Sequence, residues 1–296
     1  SAGDTLLLND GQIKLTVDSV EGTRLHTTVL VGGVLSNHKG INREGGGLSA
    51  PALTDKDRAD IKLAAELQMD FVAVSFVRSA DDVREARRLL EEAGGTGRII
   101  AKIERVEALD LIDEIIAEAD AIMVARGDLG VEMGYAELTG RQKQIIKRTR
   151  YQNKVVITAT QMMESMIKNP IPTRAEASDV ANAVMDGTDA VMLSAETAVG
   201  KYPVAVIAAV SDVCIGAEKH MQARARTSHR WDDRFKVVDE AIAMAVMYTA
   251  NHLDVKAIIA LTESGSTTLW MSRIRTDIPI YAFTPHEATS RRVTLY

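Results

Sequence analysis

The sequence predicts an α/β protein built on a parallel sheet. Short apolar runs typical of buried strands recur from residue 53 onward, and each is followed by a segment with helical spacing. Helix-start signals accompany this alternation: Thr54 stands at an N-cap position with Asp57 three residues later, the spacing of a capping box. Strand–helix alternation of this length indicates parallel strands joined by helices, in an open sheet or a closed barrel.

Five strands are predicted in this region, and most of them end in polar or charged residues. Their predicted bounds are 71–75, 98–103, 121–125, 154–158 and 190–193. The predicted helices cover residues 54–69, 79–93, 108–119, 137–151, a helical region up to 185, and 204–217. Charged strand ends favour a (β/α)8 TIM barrel, whose active sites are assembled from such ends. Because that barrel has eight strands, we expect this one to be partial, with its first strands outside the sequence.

The segments on either side of the alternating region follow other patterns. Three short β segments, 5–8, 12–17 and 24–31, precede it, and Asn9-Asp10-Gly11 between the first two is a strong hairpin signal. A second α/β pattern follows a polar linker (residues 221–234), with helices at 237–251 and 267–274 and strands at 256–261 and 278–283. We therefore expect three parts, with both ends of the chain truncated. They are the remnant of an inserted β domain at 1–36, a partial barrel at 37–220 and a partial C-terminal α/β domain at 221–296; the family resemblance given below implies that these are a β-barrel lid domain, the catalytic barrel and a regulatory domain.

Composition and charge argue against several classes of function. The 296 residues carry a formal net charge of −6, which argues against nucleic acid as a partner because phosphate backbones require a basic face. Five cations lie between Arg141 and Arg150, at a spacing that predicts a solvated helix face. No apolar run approaches the roughly 18 residues that span a bilayer, so no membrane partner is expected. A single cysteine, Cys214, excludes an internal disulfide and fits a reducing, cytoplasmic compartment.

Two strand ends carry the charged residues most indicative of chemistry. Lys102 and Glu104 end one strand and project from the same face, because side chains alternate along a strand. The next strand ends at a second carboxylate, Asp128. Oxygen ligands hold Mg²⁺, and an ammonium group balances negative charge on a phosphorylated or enolate substrate. The pattern predicts an enzyme, and a surface Lys102–Glu104 ion pair of little energetic value is the competing interpretation.

Other strand ends supply weaker candidates. Arg126-Gly127-Asp128 is also an adhesion tripeptide, but here it follows a buried strand, and Gly127 would let a ligand approach the backbone. A short helix starting after Gly127 would offer its N–H groups to a carboxylate or phosphate. Ser75 could meet a phosphate group, and an exposed polar side chain is the alternative. Thr160 could position a water or donate a proton, and an N-cap is the alternative.

A hydroxyl-rich loop follows the predicted strand 256–261. It reads Thr262-Glu263-Ser264-Gly265-Ser266-Thr267-Thr268 and leads into a predicted helix. Hydroxyl groups and a glycine at a helix N-terminus form an anion pocket. A simple Ser/Thr cap explains the same residues equally well.

Several segments resemble the signature sequences of the pyruvate kinase family. They are long and specific, and the resemblance runs through essentially the whole chain. The matching segments are Lys102-Ile103-Glu104, residues 123–132 (MVARGDLGVE), residues 159–166 (ATQMMESM), residues 169–176 and residues 179–183. Residues 37–42 and 45–47 are similar to the bacterial form that responds to sugar phosphates or AMP.

The resemblance implies a (β/α)8 barrel with an inserted β domain, a C-terminal α/β domain and a homotetramer. It also implies a reaction, transfer of a phosphoryl group from phosphoenolpyruvate to ADP to give pyruvate and ATP. The cofactors implied are Mg²⁺ (or Mn²⁺) and commonly K⁺, whose ligands lie outside this sequence. Glu104 and Asp128 would bind Mg²⁺, and Lys102 would stabilise negative charge during the transfer.

Further roles follow from the matching positions. The substrate-binding residues implied are Ser75, Ala125, Arg126, Gly127, Asp128 and Thr160. Of these, Thr160 would lie near the enolate carbon, where protonation occurs. Lys39 and Asp10 would lie on the nucleotide side, reached when the β domain closes as a lid. The effector-binding residues implied, for a sugar phosphate or AMP, are Thr262, Glu263, Ser264, Gly265, Ser266 and Thr267.

Two other interpretations stay open on the sequence alone. Another Mg²⁺-dependent barrel enzyme that handles an enolpyruvate, such as an aldolase or a mutase, would share the strand-end carboxylates but need no nucleotide lid. A non-catalytic sugar-phosphate-binding module would use the 262–268 loop and bind an effector without turnover.

Overall fold

The computed structural model describes residues 1–37, 39–47, 51–222, 235, 237–274 and 276–296. Most of the polar linker predicted at 221–234 lies outside these ranges. Contacts between residues divide the chain into two compact units, Ser1–Ile145 and Ile146–Tyr296. The domain boundaries expected from the sequence remain predictions.

The first unit begins with a four-stranded antiparallel sheet. Its strands are β1 (Thr5–Leu8), β2 (Ile13–Glu21), β3 (Arg24–Val31) and β4 (Ile41–Arg43), in the spatial order β3-β2-β1-β4. The hairpin predicted at Asn9-Asp10-Gly11 is confirmed, because β1 pairs with β2 and the three turn residues have φ of 52°, 56° and 78°. Strand β2 continues past its predicted end at residue 17 and pairs with β3 through two register shifts.

Three parallel strands and their helices make up the rest of the first unit. The strands are β5 (Phe71–Val74), β6 (Arg98–Ile103) and β7 (Ala121–Ala125), paired in that order. The helices are α1 (Asp55–Glu66), α2 (Ala80–Glu92), α3 (Glu107–Asp110), α4 (Ile112–Glu118), α5 (Arg126–Met133) and the first part of α6 (Tyr135–Tyr151). The capping box predicted at Thr54 and Asp57 is confirmed. Because the strands are parallel, their carboxyl ends meet along one edge of the sheet.

The single helix predicted over residues 108–119 is wrong. Leu111 leaves the helical conformation, with φ −108° and ψ 18°, and separates α3 from α4. The side chain of Leu111 is exposed, whereas Ala108 and Ile112 on either side are buried. With the break at Leu111, both short helices pack apolar residues into the core.

The second unit contains the end of α6 and two further parallel strands. These strands are β8 (Val155–Ala159) and β9 (Ala190–Met192), which pair with each other. Between β8 and β9 the chain forms a 3₁₀ turn (Glu164–Ile167) and α7 (Arg174–Asp186). After β9 it forms α8 (Ala195–Ala198) and α9 (Pro203–Gln222). The helical region predicted up to residue 185 is therefore interrupted, and Pro170 and Pro172 lie in the gap, where they disfavour a continuous helix.

The C-terminal part of the second unit has its own two-stranded parallel sheet. Its elements are α10 (Val238–His252), β10 (Ile258–Leu261), α11 (Ser266–Ser272), β11 (Ile280–Phe283), α12 (Glu287–Arg292) and a 3₁₀ turn (Val293–Leu295). Met244, Met247 and Met271 belong to its buried core. No helix within the described ranges is long and apolar enough to cross a membrane.

A buried ion pair ties this C-terminal part to β8 and β9. The guanidinium of Arg273 donates to both carboxylate oxygens of Asp189, at 2.5 and 3.1 Å, and to the carbonyl oxygen of Lys154 at 2.9 Å. Asp189 also accepts the backbone N–H of Val156 at 2.9 Å. The side chains of Arg273 and Asp189 are only 1% and 6% exposed, and Nη1 of Arg150 lies 3.6 Å from Oδ1 of Asp189, so two guanidinium groups compensate the buried carboxylate.

Candidate active site

The carboxyl ends of β5 and β6 bring together a lysine, a carboxylate and a hydroxyl. Lys102 is the penultimate residue of β6, and its Nζ lies 2.7 Å from Oε1 of Glu104. The same Nζ donates to Oγ of Ser75, the residue after β5, at 2.9 Å. Glu104 is 3% exposed and its Oε2 accepts the backbone N–H of Phe76 at 2.7 Å. The pair is therefore fixed at a buried strand end, which disfavours the surface ion-pair interpretation.

The second carboxylate, Asp128, lies in the first turn of α5. Burial raises its pKa above the usual range, and the negative charges of Glu104 and Asp10 raise the pKa further. The positive charge of Lys102 and the side-chain amide of Asn42 lower the pKa and so act in the opposite direction. The site thus gathers more negative than positive charge in a partly desolvated place, which favours binding of a cation.

The segment from Ala125 to Asp128 changes directly from strand to helix. Strand β7 ends at Ala125 and α5 begins at Arg126, two residues earlier than the start considered from the sequence. The side chain of Arg126 is buried. Because the tripeptide 126–128 forms the first turn of a helix on a buried strand, it does not have the exposed-loop geometry of an adhesion motif.

Thr160 belongs to the second unit, where it follows β8. Its φ of 69° is unusual for a β-branched residue, and the φ of the next residue, Gln161, is 52°. The hydroxyl of Thr160 donates to the carbonyl oxygen of Ala159 at 2.6 Å. Backbone outliers of this kind cluster at functional sites, so Thr160 stays a candidate on conformational grounds.

The remaining predicted residues lie on two loops. Asp10 lies in the exposed turn between β1 and β2, close enough to Asp128 to affect its titration, and Lys39 is exposed on the segment before β4. In the 262–268 loop, the hydroxyl of Thr262 accepts the N–H of Gly265 at 3.0 Å. Thr268 donates to the carbonyl oxygen of Gly265 at 2.9 Å. These bonds are those of a capped loop, so the loop geometry by itself does not favour the anion pocket over the cap.

Sequence reasoning did not identify four residues that surround the carboxylates. Asn42 and Glu132 are buried polar residues, Arg105 is a buried cation, and Phe76 adopts a φ of 55°. The guanidinium of Arg105 lies 5.5 Å from the centre of the Phe76 ring. Arg105 directly follows Glu104, and Asn42 and Glu132 fall within the matching segments 37–42 and 123–132, so the sequence did carry a signal for these three residues.

The donor set fits a hard divalent ion that completes its coordination with substrate or water. Within the described ranges, no group of three or more His, Cys, Asp or Glu side chains is arranged to hold a metal by itself. Glu104 and Asp128 supply two carboxylates, and Mg²⁺ is commonly held by one or two carboxylates together with substrate phosphates and water.

These features define a class: α/β proteins with two carboxylates and a lysine at the carboxyl ends of parallel strands. The profile described as pyruvate kinase, barrel domain, matches residues 1–207, and the profile described as pyruvate kinase, alpha/beta domain, matches residues 240–296. The chain belongs to the pyruvate kinase family. The predicted fold class, a partial TIM barrel with a C-terminal α/β domain, is thereby confirmed.

The sequences of several known proteins match this chain along nearly its whole length. Pyruvate kinase II of Salmonella typhimurium is 57% identical over 298 residues, which cover 99% of this chain and 62% of that protein. A pyruvate kinase of Haemophilus influenzae is 55% identical over the same shares of both proteins. A pyruvate kinase of Geobacillus stearothermophilus is 48% identical over all of this chain and 51% of its own length. The chain thus spans about 62% of the length of the first two relatives. These matches give no support to the binding-module or aldolase and mutase interpretations.

Proposed function

We propose that the intact protein is a pyruvate kinase, which transfers the phosphoryl group of phosphoenolpyruvate to ADP and yields pyruvate and ATP. The observation that carries the proposal is the buried Lys102–Glu104 pair, 2.7 Å apart, beside Asp128 at the strand ends of a chain that belongs to this family. The names of its relatives support the same reaction.

Glu104 and Asp128 would hold Mg²⁺ (or Mn²⁺). When bound, the ion would screen the negative charges of the phosphoryl group and the enolate oxygen. Glu104 is suited to this role because the N–H of Phe76 fixes one of its oxygens, so its orientation is set before a ligand arrives. Asp128 is suited because it is partly desolvated and near another carboxylate, so its charge is undercompensated.

Lys102 would supply positive charge where the phosphoryl group moves from the enol oxygen to the terminal phosphate oxygen of ADP. Its side chain is 24% exposed, so its ammonium group can reach a ligand at the mouth of the site while it contacts Glu104. A preorganised cation of this kind stabilises charge that increases in the transition state. The enolate then takes a proton on carbon, and Thr160 would lie near that carbon, directly or through water.

Backbone groups around the start of α5 would seat the substrate carboxylate. They belong to Ala125, Gly127 and Asp128, with Arg126 and Ser75 completing the substrate-binding set. A helix N-terminus on a buried strand suits an anion because its N–H groups and dipole favour negative charge.

Further features belong to the same proposal. Lys39 and Asp10 would contact the nucleotide when the sheet β1–β4 closes over the barrel. The loop Thr262, Glu263, Ser264, Gly265, Ser266 and Thr267 would bind a sugar-phosphate or AMP effector. We also propose a K⁺ requirement, a homotetramer and a cytoplasmic location, all carried over from the family.

An assay of pyruvate release tests the proposal. The intact protein should form pyruvate from phosphoenolpyruvate and ADP only when Mg²⁺ or Mn²⁺ is present. Asp128→Asn keeps the shape of the side chain and should lower kcat/KM by at least ~100-fold, whereas Glu137→Gln on the exposed face of α6 should leave it unchanged. Turnover without a divalent ion, or full activity of Asp128→Asn, would contradict the proposal.

A further inference from the structure

We propose that Arg105 is a positioning residue, whose buried guanidinium packs on the ring of Phe76 and so fixes the turn that orients Glu104 and Lys102. This inference rests on the proposed function, because it takes Glu104 as a ligand of the divalent ion. Arg105 would act through Phe76, without contacting substrate or ion itself.

The turn after β5 gives a hydrogen-bond partner to each member of the Lys102–Glu104 pair. Oγ of Ser75 accepts a hydrogen bond from Nζ of Lys102 at 2.9 Å. The N–H of Phe76, the next residue, donates to Oε2 of Glu104 at 2.7 Å. The two charged groups lie 2.7 Å apart, so a displacement of this turn would alter the orientation of both.

The conformation of Phe76 is one that its own residue type disfavours. Its φ of 55° lies in the left-handed region, where the Cβ of a bulky residue crowds the backbone. Such a conformation persists only where surrounding contacts hold it. Phe76 is 40% exposed, so packing in the core holds its ring only in part. A further contact on the ring is therefore needed to keep the turn in place.

Arg105 supplies that contact. Its Cζ lies 5.5 Å from the centre of the Phe76 ring, within the range of a cation–π interaction. Rotation about the N–Cα bond of Phe76 moves the ring relative to the N–H. With the N–H bound to Glu104 and the ring held against Arg105, this rotation is blocked and φ keeps its positive value.

The guanidinium of Arg105 is buried, and few polar contacts compensate its charge. Arg105 is 4% exposed, and its Nη1 lies 3.6 Å from Oε1 of Glu132, a distance of an ion pair that is too long for a hydrogen bond. Among the described residues, Nε and Nη1 of Arg105 have no hydrogen-bond partner. Oε2 of Glu132 accepts the N–H of Val106 at 3.1 Å, which keeps this carboxylate beside Arg105. A buried cation with so few hydrogen bonds is a poor source of stability, which favours a role in the site.

Binding of Mn²⁺ to the intact protein without substrates, followed by the electron paramagnetic resonance signal of free Mn²⁺, tests this role. Arg105→Met removes the charge and keeps the length of the side chain, whereas Phe76→Leu removes the aromatic face and keeps an apolar side chain. Each should raise the Kd for Mn²⁺ by about 10-fold, the lower end of the usual effect of losing a partner that orients a metal ligand. Arg105→Lys keeps a cation and Phe76→Tyr keeps a ring, so each should bind Mn²⁺ more tightly than the first variant at its position.

The double variant Arg105→Met/Phe76→Leu distinguishes one shared contact from two independent effects. If the two residues act through one contact, the double variant should have the same Kd, about 10-fold above the native value. Independent effects would multiply to about 100-fold. Arg84→Met, the same substitution at an exposed arginine of α2, should bind Mn²⁺ as the native protein does.

Kinetics provide a second measurement. The Mg²⁺ concentration for half-maximal activity should rise in Arg105→Met by a factor similar to that of the Mn²⁺ Kd, because both depend on Glu104. Arg105→Lys should recover part of this loss. An unchanged Mg²⁺ dependence of Arg105→Met would contradict the inference.

The outcomes separate the two proposals. If Glu104→Ala abolishes Mn²⁺ binding but folded Arg105→Met binds as tightly as the native protein, the role of Arg105 is refuted and the proposed function stands. Multiplied effects in the double variant would refute the role in the same way. If the native protein binds no Mn²⁺, or Glu104→Ala binds it normally, the metal site of the proposed function fails and this inference fails with it. If neither Arg105→Met nor Phe76→Leu folds, the contact has a structural role and the inference is overturned.

Discussion

Replacing Lys102 with methionine is the most informative single perturbation of the site, because it removes one charge and keeps a chain of similar length. The Nζ atom of Lys102 lies 2.7 Å from Glu104 Oε1 and 2.9 Å from Ser75 Oγ. In Lys102→Met, Glu104 retains the N–H of Phe76 but loses its cationic partner while remaining 3% exposed. The change should therefore reduce both stability and catalysis, by amounts that can be separated.

The distance between Lys102 Nζ and Glu104 Oε1 determines how much Lys102→Met should lower the free energy of unfolding. Two unit charges at 2.7 Å attract by about 6 kcal/mol at an effective dielectric constant of ~20. Desolvation of both ions offsets part of this, and Lys102 is 24% exposed, so solvent screens it further. We expect the free energy of unfolding to fall by about 2–4 kcal/mol in the absence of divalent ions. Mg²⁺ should restore part of this loss, since it would neutralise Glu104.

The catalytic effect is assayed separately, on protein shown to be folded. Loss of one preorganised charge near the transition state lowers kcat by about 10²- to 10³-fold. Lys102→Arg keeps the charge and should retain more activity than Lys102→Met, although its guanidinium has a different shape. If kcat of folded Lys102→Met stayed within tenfold of the native value, Lys102 would not act in the reaction and the reasoning from its position would be refuted.

Three further predictions concern the second unit, each measured by urea unfolding. Burial raises the pKa of Glu176, but hydrogen bonds from Ser165 and Thr173 outweigh it and leave the pKa below the usual 4.5. The lowered folded pKa means that ionised Glu176 stabilises the protein above pH 4.5 and that this contribution is lost as the pH falls through the folded value. Glu176→Gln should cost about 1 kcal/mol at pH 7 and progressively less below pH 4.5. Arg273→Met removes the nearer cation of the buried Asp189 carboxylate and leaves Arg150 at 3.6 Å, so it should cost about 3 kcal/mol. Met163→Ala empties space at a fully buried position and should cost about 2–5 kcal/mol.

Exposed counterparts in the same chain serve as controls. Arg291 forms an exposed pair with Glu287, so Arg291→Met should cost less than about 0.5 kcal/mol. Met69 is 44% exposed, and Met69→Ala should likewise have little effect. Equal losses in a buried variant and its exposed counterpart would contradict the role assigned to burial. A constant effect of Glu176→Gln from pH 3 to pH 7 would contradict the assigned pKa direction.

The strands were predictable because burial on both faces produces apolar runs. The predicted bounds of β6 and β7 match the structure residue for residue. The 2.7 Å contact of Lys102 and Glu104 agrees with the alternation of side chains along a strand. Local signals were sufficient in these cases, because the residues concerned are neighbours in sequence.

The features that could not be predicted from the sequence depend on contacts between distant parts of the chain. Asn42 carries no local sign that it will be buried in a short strand, and Glu132 is an ordinary helix residue until Arg105 and the backbone of Gly45 lie beside it. The positive φ of Phe76 has no counterpart in residue preference, because bulky residues disfavour that region. Leu111 breaks a helix through packing of its neighbours, which helix propensity does not record.

The Arg273–Asp189 pair has a consequence for the order in which the chain is synthesised. Asp189 and Arg273 are 84 positions apart, so the ribosome completes the aspartate roughly 4–17 s before the arginine at ~5–20 residues per second. During that interval the carboxylate has the N–H of Val156 and the guanidinium of Arg150 at 3.6 Å, but not the two hydrogen bonds from Arg273. We expect nascent chains stalled before residue 273 to keep the 155–192 region protease-sensitive, and chains extended past it to gain protection. A protected early chain would show that the barrel segment matures without its C-terminal neighbour.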